Sequence, residues 1–504
     1  MEKKVIYSNF KHDERRFIVD YLYKKHGWKP VYFLSGEGMR NWAEENFPDA
    51  IIHAEMAMRQ ARFDYSWISS PVPIDVKIIG TLSRFESTYL NWLEDTTGWN
   101  FSFSERRRYY HELLTYWNTV IHIMKPDIFV SYTWPHTSDY PLYLLCKHVY
   151  KIPVLFINPV PFLNDNHFAI GDSLENPSSP FEKTYQTGEI HKIDVKVKKY
   201  LNEMRSNGAK IPKNVSSYYK YLDSAYKERH TEIINVIKMI LTGSAFKKSS
   251  MAFKKNKKPL RTNESILTNF EYFLFKRNLI KQNKALQSYY KKYSVTPDLS
   301  KNFIYFAAPY QPETLSNLFA GVYEDVFLIL DIIIRVIPKD WKIIYKEHPN
   351  TFKVNDKGAL ERSKDFYDRI LEYERIELVE ADISSFTLVD HSCAVCTVGG
   401  TVGWEAIIRG KPALVFGSLW YQSCESVFAI KSLEDAQEAI KKIVSGFTPD
   451  KNDVAKYAQA IYQVTNKMLI SPSFFSKHIL SADPEKAMEA TAEAFNQAYE
   501  NFYS

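Results

Sequence analysis

The chain has 504 residues, 45% hydrophobic, 25% charged and 15% aromatic. At roughly 150 residues per domain this means about two to four globular domains, and it excludes a disordered or collagen-like polymer. The formal net charge of +6 is uneven: thirteen Lys or Arg against two acids, Glu264 and Glu271, lie between Lys247 and Lys292, a local +11 that leaves −5 elsewhere.

In chain order, the first residues place charges directly behind a short apolar patch, unlike a signal peptide. Residues 4–7 read as a strand, 13–26 as a helix, 30–34 as a second strand and 50–53 as a third. Residues 105–123 show helical spacing, with Tyr109, Leu113, Leu114, Trp117 and Ile121 on one side. Pro126-Asp127 stops that helix and opens a strand at 128–131. A helix over 137–150 and a strand at 153–157 complete a βαβ unit. Between about 180 and 300 the pattern turns to helices and Lys-rich connections, with Ile233, Ile234, Ile237, Ile240 and Leu241 on one helical face beside the run KKSSMAFKKNKKPLR.

Strands return at 304–307, 341–345, 375–379, 394–398 and 412–416. An amphipathic helix at 322–337 and a helix at 401–409 alternate with them, and the last seventy residues read as helical. The most apolar stretch, 326–337, is interrupted by Asp331 and Arg335 and is too short to span a bilayer. Two α/β halves around a helical middle predict a doubly wound enzyme with its ligand at the carboxyl ends of the strands. The expected domains are 1–180, a helical Lys-rich insertion at 181–300, a second Rossmann-like α/β domain at 301–480 and a terminal helix at 481–504.

Four cysteines, Cys146, Cys393, Cys396 and Cys424, are too few for a disulfide framework and fit a reducing compartment. Cys393 and Cys396 form a lone CxxC in a strand-like run, where no zinc or redox site is expected. No DxD, GxxxxGK[ST], HExxH or GxSxG occurs, so neither a metal nor another cofactor is expected.

Three segments carry chemistry. In 396–417, Gly399 and Gly400 permit a tight turn close to a ligand, and Thr401 opens a helix whose first N–H groups face that turn. Glu405 lies one turn further and suits ribose hydroxyls. In Tyr345-Lys346-Glu347-His348-Pro349, three ionisable groups follow an apolar strand. Pro349 fixes the turn, so that His348 can donate to a phosphate with Lys346 adding a cation. In Pro309-Tyr310-Gln311-Pro312-Glu313, polar groups sit between prolines in a rigid loop. On the first half, His136 and Asp139 follow the 128–131 strand and can face the cleft, with Asp165 and His167 as weaker candidates. Each segment alone also reads as ordinary structure: a generic βαβ turn, a surface histidine, a helix-start acid.

Taken in order, QPE (311–313), YKEHP (345–349) and GGTVGWEAIIRGKP (399–412) resemble the bacterial capsule-polysaccharide and lipopolysaccharide biosynthesis glycosyltransferases, including the β-Kdo transferases with paired QP and HP motifs. The resemblance covers about residues 300–420, and more loosely 126–160. It implies a GT-B-like α/β fold, with two Rossmann-like domains facing across a cleft and a helical insertion between them. It further implies a CMP-activated acidic sugar as donor and a glycan or glycolipid acceptor. His348 and Pro349 would hold the phosphate, with Lys346 beside them. Gly399, Gly400, Thr401 and Glu405 would hold the nucleotide, and Gln311 and Glu313 would lie near the sugar. Asp139, with His136, would supply the base or nucleophile.

A UDP- or GDP-hexose is the alternative donor. A non-catalytic assembly protein that docks on an anionic membrane through residues 247–292 is the alternative of another class. No nucleic-acid partner is expected, because no recognition motif accompanies the charge. A cytoplasmic location is expected, peripheral at the inner face of the cell membrane.

Overall fold

The structure, a computed structural model, describes every residue except 1, 11–12, 60–61, 98–101, 164, 188–189, 191, 207–236, 238–239, 247–267, 312–316, 354–357, 468–483 and 504. Short runs rich in β-branched and aromatic residues form strands buried on both faces, as parallel sheets require. The first sheet contains β1 (Lys3–Phe10), β2 (Trp28–Ser35), β3 (Ile51–Ala54), β4 (Ile128–Ser131), β5 (Val154–Phe162) and β6 (Asp165–Gly171). The second contains β7 (Phe303–Ala307), β8 (Lys342–Lys346), β9 (Ile376–Val379), β10 (Ala394–Thr397), β11 (Ala413–Val415) and β12 (Val427–Ala429).

The second sheet is wholly parallel, in the order β12-β11-β10-β7-β8-β9. The first runs β6-β5-β4-β1-β2-β3, with β13 (Asn466–Lys467) added antiparallel outside β6. Each sheet therefore holds the doubly wound order, with a switch point between β1 and β4 in one and between β7 and β10 in the other. This is the expected two-lobed α/β, GT-B-like fold. Trp134, just past β4, meets Phe319, past β7, edge-on with ring centroids 5.7 Å apart, so the carboxyl edges of the two sheets face each other.

Several elements differ from the sequence reading. The helix expected at 322–337 is broken by Asp325, whose carboxylate accepts from Phe327 N at 3.0 Å and caps a helix over Val326–Val336. That helix buries Val326, Ile329, Leu330 and Ile333, each worth roughly 1.5–3 kcal/mol. The helix expected at 137–150 is α-helical only over Tyr140–Leu144 and continues as a π-turn over Leu145–Tyr150. The strand expected at 153–157 runs on to Phe162 and folds back as β6, so Asp165 and His167 lie on a strand and not in a loop. Pro159 and Pro161 are tolerated because β4 pairs only as far as Phe156, leaving those prolines no donor to supply on that side.

Of the helical stretch at 181–300, the described parts pack on the second lobe. Helices Ser179–Gln186 and Val195–Arg205 share a core with Trp404, Ile407 and Tyr457. Trp404 donates its indole N–H to Tyr200 at 3.0 Å. Helix Asn269–Tyr293 lies against β9 and helix Lys364–Leu371. The basic run 247–261 lies outside the described residues. The chain then returns to the first lobe: helix Pro484–Tyr503 buries Met488, Ala492 and Phe495 against Ile18 and Leu22 of helix Arg16–His26. No described helix is long and apolar enough to cross a membrane.

Candidate functional site

In the second lobe Ala307 pairs with Lys346 on one side and Thr397 on the other. At about 4.8 Å per strand spacing, the ends of β8 and β10 lie about 10 Å apart with β7 between them. The chain after Ala307, which leads to Gln311, and the YKEHP and GGT segments therefore leave one edge at the switch point.

The chemistry of these loops is more divided than the sequence implied. Lys346 is buried and donates to Ser385 Oγ at 3.2 Å. Its charge also acts on the half-buried Glu405, which accepts from Thr401 Oγ1 at 2.9 Å and whose carboxyl is pushed up by burial. His348 is half-buried, and its ring lies 5.5 Å from that of Tyr310. Its Nδ1 accepts from Asn350 N at 3.2 Å, so the neutral ring carries its proton on Nε2.

Glu347, grouped by sequence with its neighbours as ligand-facing, is instead fully buried. It accepts from Arg362 Nε at 2.8 Å and from the hydroxyls of Tyr345, Thr351 and Tyr367. Arg362 in turn donates to Gln311 Oε1 at 2.8 Å, while Gln311 Nε2 donates to Glu324 O at 2.9 Å. One N–H and one lone pair of the Gln311 amide are thus committed to protein partners, and Arg362 ties the QP loop to the HP loop. The turn at Gly399 and Gly400 is held by Thr397 Oγ1, which accepts from Gly400 N at 3.3 Å, and by the Tyr421 hydroxyl donating to Gly400 O. Gly417 supports it from below: a Cβ there would lie 2.1 Å from Val398 O.

The facing edge of the first lobe gathers Ser8, Asn9 and Ser131 at the β1/β4 switch point. Asp139 is fully buried; its Oδ2 accepts from Ser8 Oγ at 2.6 Å and Asn9 Nδ2 at 2.9 Å, and its Oδ1 from His136 N at 2.8 Å. Burial, with the Glu55 charge adding, pushes its carboxyl up to about 6 against those hydrogen bonds. Asn9 adopts a left-handed φ of 63°, and its carbonyl accepts from Arg15 Nη1 at 2.6 Å. The Arg15 guanidinium lies 3.7 Å over the Tyr132 ring. Asp139 is thus tied into the lobe, and the half-buried His136 is the member of this segment nearer solvent.

Between the lobes, Asn91 Nδ2 donates to Glu324 Oε1 beside a cavity of about 500 Å³ that Gln311 and Arg362 also line. Burial, with Glu361 and Asp325 adding, pushes the Glu324 carboxyl up to about 7.

The structure thus brings Gln311, Lys346, His348, Pro349, Gly399, Gly400, Thr401 and Glu405 to one edge, and His136 and Asp139 to the facing one. Glu313 lies outside the described residues. His167 is on β6, with Nδ1 3.1 Å from Thr465 Oγ1, away from either switch point. Arg362, Ser385, Tyr421, Glu324 and Asn91 were missed; only Glu347 signalled one of them, since a carboxylate at the end of a buried strand calls for a cation. Among the described residues no cluster of three or more His, Cys, Asp or Glu could hold a metal ion, and all four cysteines are free thiols.

Residues 270–470 match the family described as capsule polysaccharide biosynthesis proteins. The segments that carry the resemblance fall within this match, which also takes in residues 270–293 ahead of the second sheet. No curated protein matches the chain. Among solved structures it is similar to a UDP-GlcNAc 2-epimerase from Methanocaldococcus jannaschii, at 12% identity over 92% of this chain and 99% of that one, with a TM-score of 0.24. It is also similar to two entities described as Thermosulfurimonas dismutans KpsC. The β-Kdo 2,4 transferase is 11% identical over 66% of this chain and 79% of that one, TM-score 0.28. The β-Kdo 2,7 transferase is 14% identical over 46% and 67%, TM-score 0.23.

Proposed function

We propose that this chain is a glycosyltransferase of surface-glycan synthesis. It moves a sugar, Kdo or a related nonulosonic acid, from a CMP-activated donor to a growing polysaccharide or glycolipid. The observation that carries this reading is that Gln311 and the YKEHP and GGT segments follow adjacent strands at one switch point, within the span that matches the capsule family.

In this reading the nucleotide lies over the Gly399–Gly400 turn, with Thr401 and Glu405 toward its ribose. As the bond from the anomeric carbon to the phosphate oxygen breaks, negative charge gathers on the phosphate. His348 donates from Nε2, and the Lys346 charge opposes that build-up. The acceptor hydroxyl forms the new bond and gives up its proton. His136 is the base proposed to take it, with Asp139 as a positioning residue that fixes the 136–139 turn through the His136 backbone.

The test is CMP release from purified protein given CMP-Kdo and related CMP-sugars, alongside thermal shifts with CMP, UDP and GDP. Stabilisation by CMP alone, lost in His348→Ala, is the expected result. Stabilisation by UDP or GDP instead would move the donor to a hexose nucleotide. No nucleotide response at all would sink the transferase reading.

A further inference from the structure

Helix Asn269–Tyr293 divides into two unlike halves. Its later turns bury Leu279, Leu286 and Tyr290, and the Tyr290 hydroxyl donates to Val379 O at 2.6 Å. Its first turns bury little: Phe270, Leu274 and Phe275 are exposed, the first two in helical i, i+4 register. The 3-10 turn Ser244–Phe246 packs against this helix and adds Phe246, 75% exposed, with Leu241 at 80% and Ile240 nearby. Six large apolar side chains thus stand in water on one limb, whereas comparable residues on the same helix are in the core.

The surroundings of this limb are cationic. Arg277, Lys281 and Lys284 are exposed further along the helix. By sequence, the 21 residues joining its two parts, 247–267, carry seven Lys or Arg against one acid, Glu264. Apolar side chains flanked by Lys and Arg form the combination that binds a bilayer interface: the apolar groups enter the headgroup boundary, and the cations meet anionic lipid. Neither signal alone holds a protein firmly to a membrane; both together do. A second copy of this chain is a poorer cover, because it would bring the same exposed Arg277, Lys281 and Lys284 against the first copy's.

We infer that the limb of Ile240, Leu241, Phe246, Phe270, Leu274 and Phe275 is a membrane-docking surface for bilayers rich in anionic headgroups. This stands apart from the transferase reading, since none of these residues belongs to the switch-point loops.

The test is co-sedimentation of full-length protein with vesicles of equimolar phosphatidylglycerol and phosphatidylcholine, against vesicles of phosphatidylcholine alone. Binding to the anionic vesicles is expected, weakened by salt. The triple variant Leu241→Ser, Phe246→Ser, Leu274→Ser should bind more than about tenfold less, from the apolar area it loses. Its melting temperature and nucleotide response should match the parent's, because all three side chains are exposed. Phe246→Trp supplies a second reading, in which its emission should shift to the blue on anionic vesicles only. The inference is overturned if the parent ignores anionic vesicles, if the triple variant binds as the parent does, or if sedimentation equilibrium shows a dimer that the triple variant dissociates.

Discussion

Removing the Arg362 side chain should destabilise the second lobe strongly, because it strands a buried charge at the ligand edge. Glu347 is completely buried, and the Arg362 side chain is 3% exposed, so Arg362→Met leaves a carboxylate in the interior without its cation. Breaking such a pair costs about 3–5 kcal/mol. Three hydroxyls from Tyr345, Thr351 and Tyr367 remain on Glu347, which points to the lower end, about 3 kcal/mol. The double variant Glu347→Gln, Arg362→Met removes the stranded charge and keeps the loss of the hydrogen bond to Gln311 with the longer ones to Glu361 O and Pro309 O, about 1 kcal/mol. Urea unfolding of the four proteins of this cycle, with equal slopes required, measures the coupling, which should be about 2 kcal/mol or more. A cost below about 1 kcal/mol for Arg362→Met, or additive single variants, would refute the claim that this pair joins the two motif loops.

Asp139 and Glu324 should each make stability fall as pH rises, because both carboxyls hold their protons more tightly folded than unfolded. For Asp139 the contribution is whole below about pH 4 and declines by up to about 3 kcal/mol as pH passes its folded value near 6. Asp139→Asn should flatten that slope in denaturation curves taken from pH 4 to 7; an unchanged slope would contradict the assignment. For Glu324 the decline runs from about pH 4.5 to about 7, and Glu324→Gln should lessen the fall in melting temperature over that range; an unchanged fall would contradict the assignment. Gly417→Ala drives a Cβ to 2.1 Å from the Val398 carbonyl, a backbone group that cannot swing aside. It should cost about 3 kcal/mol in urea unfolding, and a loss under about 1 kcal/mol would show that the turn yields.

Most strand positions, and the placing of the motifs at strand ends, were legible in sequence because both follow from local signals. Runs such as IFVS at 128–131 and FIYFA at 303–307 can only be buried strands, and crossover helices between parallel strands leave little choice of topology. What each polar residue in a motif does was not legible, because it depends on partners distant along the chain. Glu347 and His348 are adjacent, yet one is sealed among three hydroxyls and a guanidinium while the other stays half-buried at the edge. Arg362 carries no motif of its own; its role exists only because helix Gly358–Glu361 delivers it under the QP loop. Trp404, inside the GGTVGWEAIIRGKP segment, has its reason in Tyr200, a partner contributed from the other side of the basic segment. β6 stayed hidden because two prolines look like a stop until the end of β4 is known.

The return of the chain through β13 and helix Pro484–Tyr503 bears on how the molecule is made. Residues 466–467 and 484–503 complete the first lobe, so β1–β6 wait for segments synthesised after the whole second lobe. While the ribosome works through the intervening segment, the face that will receive Met488 and Phe495 stays open, a state in which nascent chains are prone to aggregate. Loss of residues 484–503 would therefore be felt at the amino-terminal half, and the first lobe is not obtained intact by a single cut in the gene.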